Sequence, residues 1–379
     1  MSESFRKISN GVDWLLVLFI LPIMAAGIVT MKSFIPVESA GDFSSKQIIW
    51  VAISLIVFYI FSFIDFGFLK RTNVLMFIFA ALSGILLLLF IVGSISNGAQ
   101  SWFDFGFFSF QPADMMKLVL VLILAKYFSR RHVEIRDTKH IFISFFYAII
   151  PVVLVLLQPD FGSAMILLAI WFGMVLVSGI SKKHLALVFG AGIIAFLVLW
   201  FFVFAPYQKA RITNFLNPVA DIHGTGYNAF QSTIAVGSGQ VFGKGLGFGT
   251  QSRLKFLPQP QSDFIFAAFS EEWGLIGSLT ILILYSLVIW RILHIASLGA
   301  SNFEILFGMG IAIFFMSHIL INVGMNVGLM PVTGIPLPFM SYGGSHLLAE
   351  FMGLGILMSM RRYARSAHKD DMKNEFLGI

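Results

Sequence analysis

Long apolar runs separated by short polar segments set the pattern of this chain. Ten such runs lie at residues 12–30, 47–65, 73–93, 113–129, 141–157, 161–179, 185–205, 270–290, 304–325 and 345–361. A helix of about 17 to 25 apolar residues spans a hydrocarbon core roughly 30 Å thick. Lipid offers the backbone no hydrogen-bond partner, so each run is predicted to be a helix that satisfies its own N–H and C=O groups. The pattern therefore predicts an all-α polytopic membrane protein with about ten transmembrane helices. It reads as one membrane domain over 1–379, with a ten-span core (12–361), a long extracytoplasmic loop (206–269) between spans seven and eight, and a mobile cytoplasmic tail (362–379). The first run begins near Val12 without a small-residue cleavage site and reads as a retained span.

Composition agrees: 58% of the 379 residues are hydrophobic and only 12% are charged, which excludes a soluble globular class. The net charge of +6 does not point to nucleic acid, because the basic residues cluster in short segments between apolar runs. With the N-terminus placed inside, 17 of the 25 Lys and Arg fall on inner segments, while the short outer loops carry only Lys32 and Lys46. That asymmetry predicts cytoplasmic termini. The absence of cysteine excludes thiol catalysis, disulfides and iron–sulfur ligation.

This topology gathers the unusual polar segments on the outer side. Residues 94–112 are aromatic and glycine-rich, suited to the membrane surface. Residues 330–346, MPVTGIPLPFMSYGGSH, hold three prolines and a Gly-Gly pair, so they predict irregular backbone. Such backbone at membrane depth is tolerated where protein buries it or where it lines a water-filled cavity, and here an outward-facing cavity is expected.

Candidate chemistry concentrates in 250–274, TQSRLKFLPQPQSDFIFAAFSEEWG. Asp263 stands at the threshold of an apolar run, where a carboxylate's proton affinity is tunable. Arg211, Lys244, Arg253 and Lys255 belong to the same aqueous side, so Asp263 reads as a general base beside an anionic group, a structural ion pair or an ion-coupling carboxylate. The glycines at 237–249 lack the spacing of a nucleotide loop, which leaves a backbone phosphate cradle or a flexible turn. Asp114 and Lys117 share a helix face at i, i+3, as an ion pair or as functional intramembrane charges. Asp160 either caps the sixth span or acts on a ligand. Glu271 and Glu272 suit a structural place in the first turn of the eighth span, and His318, Asn322 and Asn326 form a stripe for hydrogen bonds between helices. Glu350 must be neutral, paired across helices or facing water. No zinc-binding motif is present, and the metal ligands, if any, stay unassigned.

The segments NGAQSWFDFGFFSFQPADMMK, LQPDFGSA, GYNAFQSTIAVGSGQVFGKGLGFGTQSRLKFLPQPQSDFIFAAFSEEWG and GIPLPFMSYGGSH, in that order, resemble the SEDS family of bacterial shape, elongation, division and sporulation proteins. The GTQSRLKFLP stretch is more like the elongation members than the division members. The resemblance implies a GT-C-related fold in the bacterial cytoplasmic membrane, with the active site outside. It implies an inverting peptidoglycan glycosyltransferase that polymerises lipid II, with undecaprenyl pyrophosphate as leaving group and a class B penicillin-binding protein as transpeptidase partner. It places the family's essential aspartate on Asp263, the carboxylate and lysine of a second motif on Asp114 and Lys117, and a further aspartate on Asp160. Arg211, Lys244 and Arg253 are the candidates for the pyrophosphate, with Lys117, Asp114 and Asp160 as further substrate-binding candidates and a divalent cation as a possible helper. Two departures stand out: Asp114 replaces a glutamate, and His346 follows the SYGGS segment where a small residue is common. The competing readings are a lipid-linked precursor flippase, a division-specific polymerase, and a scaffold for another synthase.

Overall fold

The computed structural model describes residues 12–33, 43–96, 99–106, 109–130, 138–204, 206–216 and 226–377. In chain order these form α1 (Trp14–Ser33), α2 (Phe43–Phe63), α3 (Thr72–Val92), β1 (Ser94–Ser96), β2 (Ala99–Asp104), β3 (Ser109–Phe110) and α4 (Pro112–Ser129). There follow α5 (Thr138–Leu157), α6 (Phe161–Val177), α7 (Lys182–Val198, prolonged by a π turn over Leu199–Val203), α8 (Pro206–Leu216), α9 (Tyr227–Ser238) and the single turn α10 (Thr250–Arg253). The chain ends with α11 (Ile265–Ala296), α12 (Asn302–Asn326) and α13 (Gly344–Leu377).

A helix thus covers each of the ten apolar runs. Seven of them are long and apolar enough to cross a membrane by length and composition. The other three are α4, with its three charged side chains, α6, with only 17 residues, and α13, which runs on into the charged tail. The protein is a polytopic, almost entirely helical membrane protein. Local chemistry sets several helix starts. Pro112 occupies the first turn of α4, where its missing N–H costs nothing, and the Asp160 and Ser181 side chains accept from Ser163 N and His184 N to cap α6 and α7.

Burial separates inner helices from outer ones. In α4, 14 of 18 residues are buried, and α12 is buried along most of its length. By contrast α7 buries none, and outer helices turn large apolar side chains such as Phe77 and Ile91 outward, as a lipid-facing surface requires. At the end of the bundle that holds the basic loops, Lys70 pairs with Glu304 at 2.8 Å and Asp13 binds Arg291 at 2.7 Å and also Arg361.

Three expectations change. Residues 94–112 are not all surface loop: they build a small antiparallel sheet, in the order β1-β2-β3. The long segment 206–269 carries α8, α9 and α10, and α11 begins at Ile265 rather than at 270. The pair of glutamates marked the span boundary in the sequence, yet both are buried and the helix starts ahead of them. Lastly, the tail extends the helix of α13 as far as Leu377.

Candidate active site

Asp263 lies in the turn that leads into α11, with its side chain half-buried. Three consecutive carbonyls of this turn are held by other elements. Gln261 O accepts from Tyr342 N (2.8 Å), Ser262 O from Ser341 Oγ (2.6 Å), and Asp263 O from the amides of both Asn322 (3.0 Å) and Asn326 (3.1 Å). Asn326 Oδ1 also accepts from Ala267 N at 3.1 Å, closing the first turn of α11 from a different helix. The polar stripe on α12 thus does bond between elements, and what it binds is the backbone of Asp263. Its third member, His318, lies 3.3 Å through Nδ1 from Pro336 O.

The irregular segment 330–343 is the strap that joins the predicted motifs. A Cβ on Gly334, whose φ is +72°, would stand 3.4 Å from Asp263 Oδ2. On the strap's other side, a Cβ on Gly162 at the start of α6 would be 2.7 Å from Thr333 O. Beside Gly162, Asp160 caps α6 through Ser163 N (2.9 Å) and accepts from Gln111 Nε2 (2.8 Å), which ties α6 to the residue preceding α4. Where the strap runs into α13, Ser345 Oγ donates to Asp114 Oδ2 at 3.2 Å.

Asp114 and Lys117 form the ion pair their spacing predicted, 2.9 Å apart and each 1% exposed. His346 Nδ1 lies 3.3 Å from Asp114 Oδ1, and His346 Nε2 lies 3.0 Å from Glu350 Oε1. The two departures from the family pattern therefore touch one another, and Glu350 is paired. No local signal in the sequence links residues 114 and 346.

The glycine-rich stretch is neither a phosphate cradle nor a loose turn. Helix α11 breaks at Gly274 (φ 66°, ψ −162°). Across the break, Leu275 N and Ile276 N bond to Gln240 O (2.9 Å) and Val241 O (3.2 Å), and Glu271 O and Glu272 O accept from Lys244 N and Gly245 N (3.0 Å each). The 240–245 segment is spliced into the helix's own hydrogen-bond ladder, so these amides are spent. The approach demands glycine: a Cβ on Gly243 would lie 2.1 Å from Glu272 O.

The same splice explains the two glutamates. Glu271 Oε1 accepts from Lys244 Nζ (2.7 Å), Thr250 Oγ1 (3.1 Å) and Gln251 N (3.1 Å), and Glu272 Oε1 from Gly247 N (3.1 Å). Their role is structural as predicted, but it clamps the 240–252 segment rather than capping the helix. Lys244 therefore points into this clamp. Arg253 is exposed, with Nη1 3.2 Å from Gly247 O. Arg211 lies on α8, and its side chain is outside the described residues.

Among the described residues no three His, Asp or Glu side chains converge as metal ligands. A cavity of about 480 Å³ lined by Lys70, Lys126, Ser129, Ser301 and Asn302 lies beyond the far end of α11 and belongs to a different part of the molecule.

Comparison with known proteins fits this picture. The family described as "Cell cycle protein", which groups FtsW, RodA and SpoVE, matches residues 13–366. Stage V sporulation protein E of Bacillus subtilis (strain 168) is 36% identical over 366 residues, covering 93% of this chain and 98% of the relative. Peptidoglycan glycosyltransferase MrdB of Escherichia coli (strain K12) is 39% identical over 279 residues, covering 73% of this chain and 75% of the relative. A solved chain from a peptidoglycan synthase complex that coordinates polymerization and crosslinking superposes with a TM-score of 0.78 at 29% identity, covering 93% of this chain and 98% of that one. The chain belongs to the SEDS family of FtsW, RodA and SpoVE.

Proposed function

We propose that Asp263 is the general base of a peptidoglycan glycosyltransferase that polymerises lipid II. MrdB of Escherichia coli is named a peptidoglycan glycosyltransferase, and this chain is an enzyme of that class. The observation that carries the residue assignment is the clamped turn. Its backbone is fixed by three neighbouring carbonyls, and its carboxylate is half-buried, with Oδ2 beside Gly334. A base needs that combination, because proton transfer requires a fixed position and access to the substrate.

In the inverting step, the 4-hydroxyl oxygen of the acceptor sugar attacks the anomeric carbon of the donor as the bond from that carbon to phosphate breaks. Asp263 takes the hydroxyl proton, and the electron pair leaves on undecaprenyl pyrophosphate. Arg253 and Arg211 meet the charge growing on the pyrophosphate, and Lys244 supports them from the clamp. Asp114, Lys117 and Asp160 shape the floor and wall of the site through the strap. A divalent cation, if used, would arrive with the pyrophosphate, since the described carboxylates do not converge on one point.

The finer reading is a bacterial cytoplasmic-membrane enzyme of cell elongation, with both termini inside, the Asp263 end of the bundle outside, and a class B penicillin-binding protein as crosslinking partner. The outer placement is directly checkable because the chain has no cysteine. A single cysteine at Arg253 should react with an impermeant maleimide in intact spheroplasts, whereas one at Arg71 should not. Depletion should round the cells if the role is elongation and leave filaments if it is division. The flippase reading leaned on the α12 stripe and Glu350, and these side chains are engaged with Asp263 O, Ile335 O and His346 instead of facing a path.

The decisive experiment is polymerisation of purified lipid II by native protein and by Asp263→Asn, with the transpeptidase partner present and absent. Glycan strands from the native protein alone support the assignment. A folded mutant that still polymerises would remove it.

A further inference from the structure

We propose that His346 is a positioning residue for the Asp263 turn: an imidazolium bridging Asp114 and Glu350 that holds the strap through Glu350. This rests on the reading of Asp263 as the base. Nδ1 is hydrogen-bonded to Asp114 Oδ1 at 3.3 Å, Nε2 stands at ion-pair distance, 3.0 Å, from Glu350 Oε1 without hydrogen-bond alignment, and His346, Asp114 and Glu350 are all buried. A neutral imidazole has one N–H and one lone pair, so it would turn a lone pair towards one of the carboxylates and bring charge to neither; only the imidazolium presents an N–H and positive charge to both.

Charge counting gives the same answer. Two carboxylates, Asp114 and Glu350, then balance two cations, Lys117 and His346, and a neutral set is what a buried cluster in a membrane protein requires. The other titratable groups that face the cluster are His318 of α12, whose ring centroid is 4.6 Å from that of His346, and Tyr285 of α11, whose hydroxyl donates to Pro338 O.

The route to Asp263 is short. The second oxygen of Glu350 accepts from Phe339 N at 3.1 Å. Phe339 has φ +60°, a left-handed conformation that an aromatic residue holds only when its surroundings impose it. Two residues on, Ser341 accepts from Leu337 N (2.8 Å) and donates to Ser262 O (2.6 Å), next to Asp263. If His346 is lost, Glu350 is left buried without its counter-charge, and its grip on the Phe339 amide loosens.

The test has two arms. In the first, solid-state NMR of the protein labelled with 15N-histidine reads the protonation of His346 at pH 7.5 in bilayers, its signal assigned by its absence from His346→Gln. Two protonated nitrogens are expected, and a neutral tautomer would overturn the proposal. In the second, lipid II polymerisation is measured for His346→Gln, Glu350→Gln and the double variant. His346→Gln should lower kcat about 10-fold or more with KM changed less than about threefold, because a shifted base costs rate before binding. The double variant, with its charge count restored to neutral, should recover at least about threefold of the lost kcat. Additive losses, or a fall in KM-dependent rate alone, would make His346 a packing residue. Should the native protein make no polymer, the glycosyltransferase reading fails by itself, and the NMR arm still decides whether the histidine bridges.

Discussion

Two carboxylates at one end of the bundle, Asp263 and Asp114, are held in opposite ways. Asp114 is 1% exposed and its two oxygens are used up by Lys117, Ser345 and His346. Asp263 is gripped through its main chain and the carbonyls of the two residues before it, with the side chain half-buried at the strap. A carboxylate spent on neighbouring charges builds structure. One whose backbone bears the constraint has its position set without relying on the side chain, which is what the proposed base requires. Both lie near motifs of similar prominence in the sequence, and their settings differ only in the fold.

The sharpest way to break this contrast is to neutralise each carboxylate in turn. Asp263→Asn keeps the shape and every backbone contact of the turn, so its unfolding temperature should change little while polymerisation falls by about 10²- to 10⁴-fold, the usual contribution of a general base. Thermal unfolding in detergent alongside a lipid II assay measures both. Comparable loss of stability and activity would mean that Asp263 is structural after all.

Asp114→Ala should show the reverse pattern. It strands Lys117 in the interior and leaves His346 with Glu350 alone, and an unpaired buried charge costs about 3 to 5 kcal/mol. The expected result is a strongly lowered unfolding temperature, with activity lost in proportion to the folded fraction. A fully stable but inactive Asp114→Ala would erase the distinction between the two sites.

Asn326→Ala tests the scaffold under Asp263. The substitution removes donors to Asp263 O and Asn322 O and the acceptor for Ala267 N. Losing buried partners of this kind costs about 1 to 3 kcal/mol, and Asp263 should lose rate beyond what the drop in stability explains. If kcat at saturating lipid II is unchanged in the folded variant, Asn322 alone is enough to fix the turn.

How much of this was legible in the sequence follows from what each feature depends on. Hydrophobic length placed a helix over each apolar run, because span length is fixed by the bilayer and needs no tertiary information. The Asp114–Lys117 pair was legible for a similar reason, since i, i+3 is a local geometry. The α12 stripe was seen as polar, but its partner was not: the carbonyl of residue 263 lies 59 residues from Asn322 and 63 from Asn326. The splice at Gly274 was missed because glycines at 237–249 suggested freedom, whereas here they permit contact between two backbones. Glycines of the 239–243 segment read together with Gly274 were the available signal. The pairing of His346 with Asp114 spans 232 residues and has no local signature at all.

The smallest predicted effect concerns Lys244, and it tests the splice against the first reading of that lysine. In the sequence Lys244 was a candidate for the pyrophosphate, equal to Arg253. In the fold its ammonium is 2.7 Å from Glu271 and 2.9 Å from Thr250, whereas Arg253 is exposed with a single backbone contact. Glu271 would keep its bonds to Thr250 and to the amide of Gln251 after Lys244→Met, and the lysine side chain is 29% exposed. Solvent screening and these remaining donors limit the cost to about 1 kcal/mol. Lys244→Met should therefore slow polymerisation by less than about 10-fold, and Arg253→Ala should slow it more, since only the latter removes a charge proposed to meet the leaving group directly. The salt dependence of kcat/KM provides a second comparison: it should flatten in Arg253→Ala and persist in Lys244→Met. The opposite ranking would return Lys244 to the substrate and make its contact with Glu271 a resting arrangement that opens when lipid II binds.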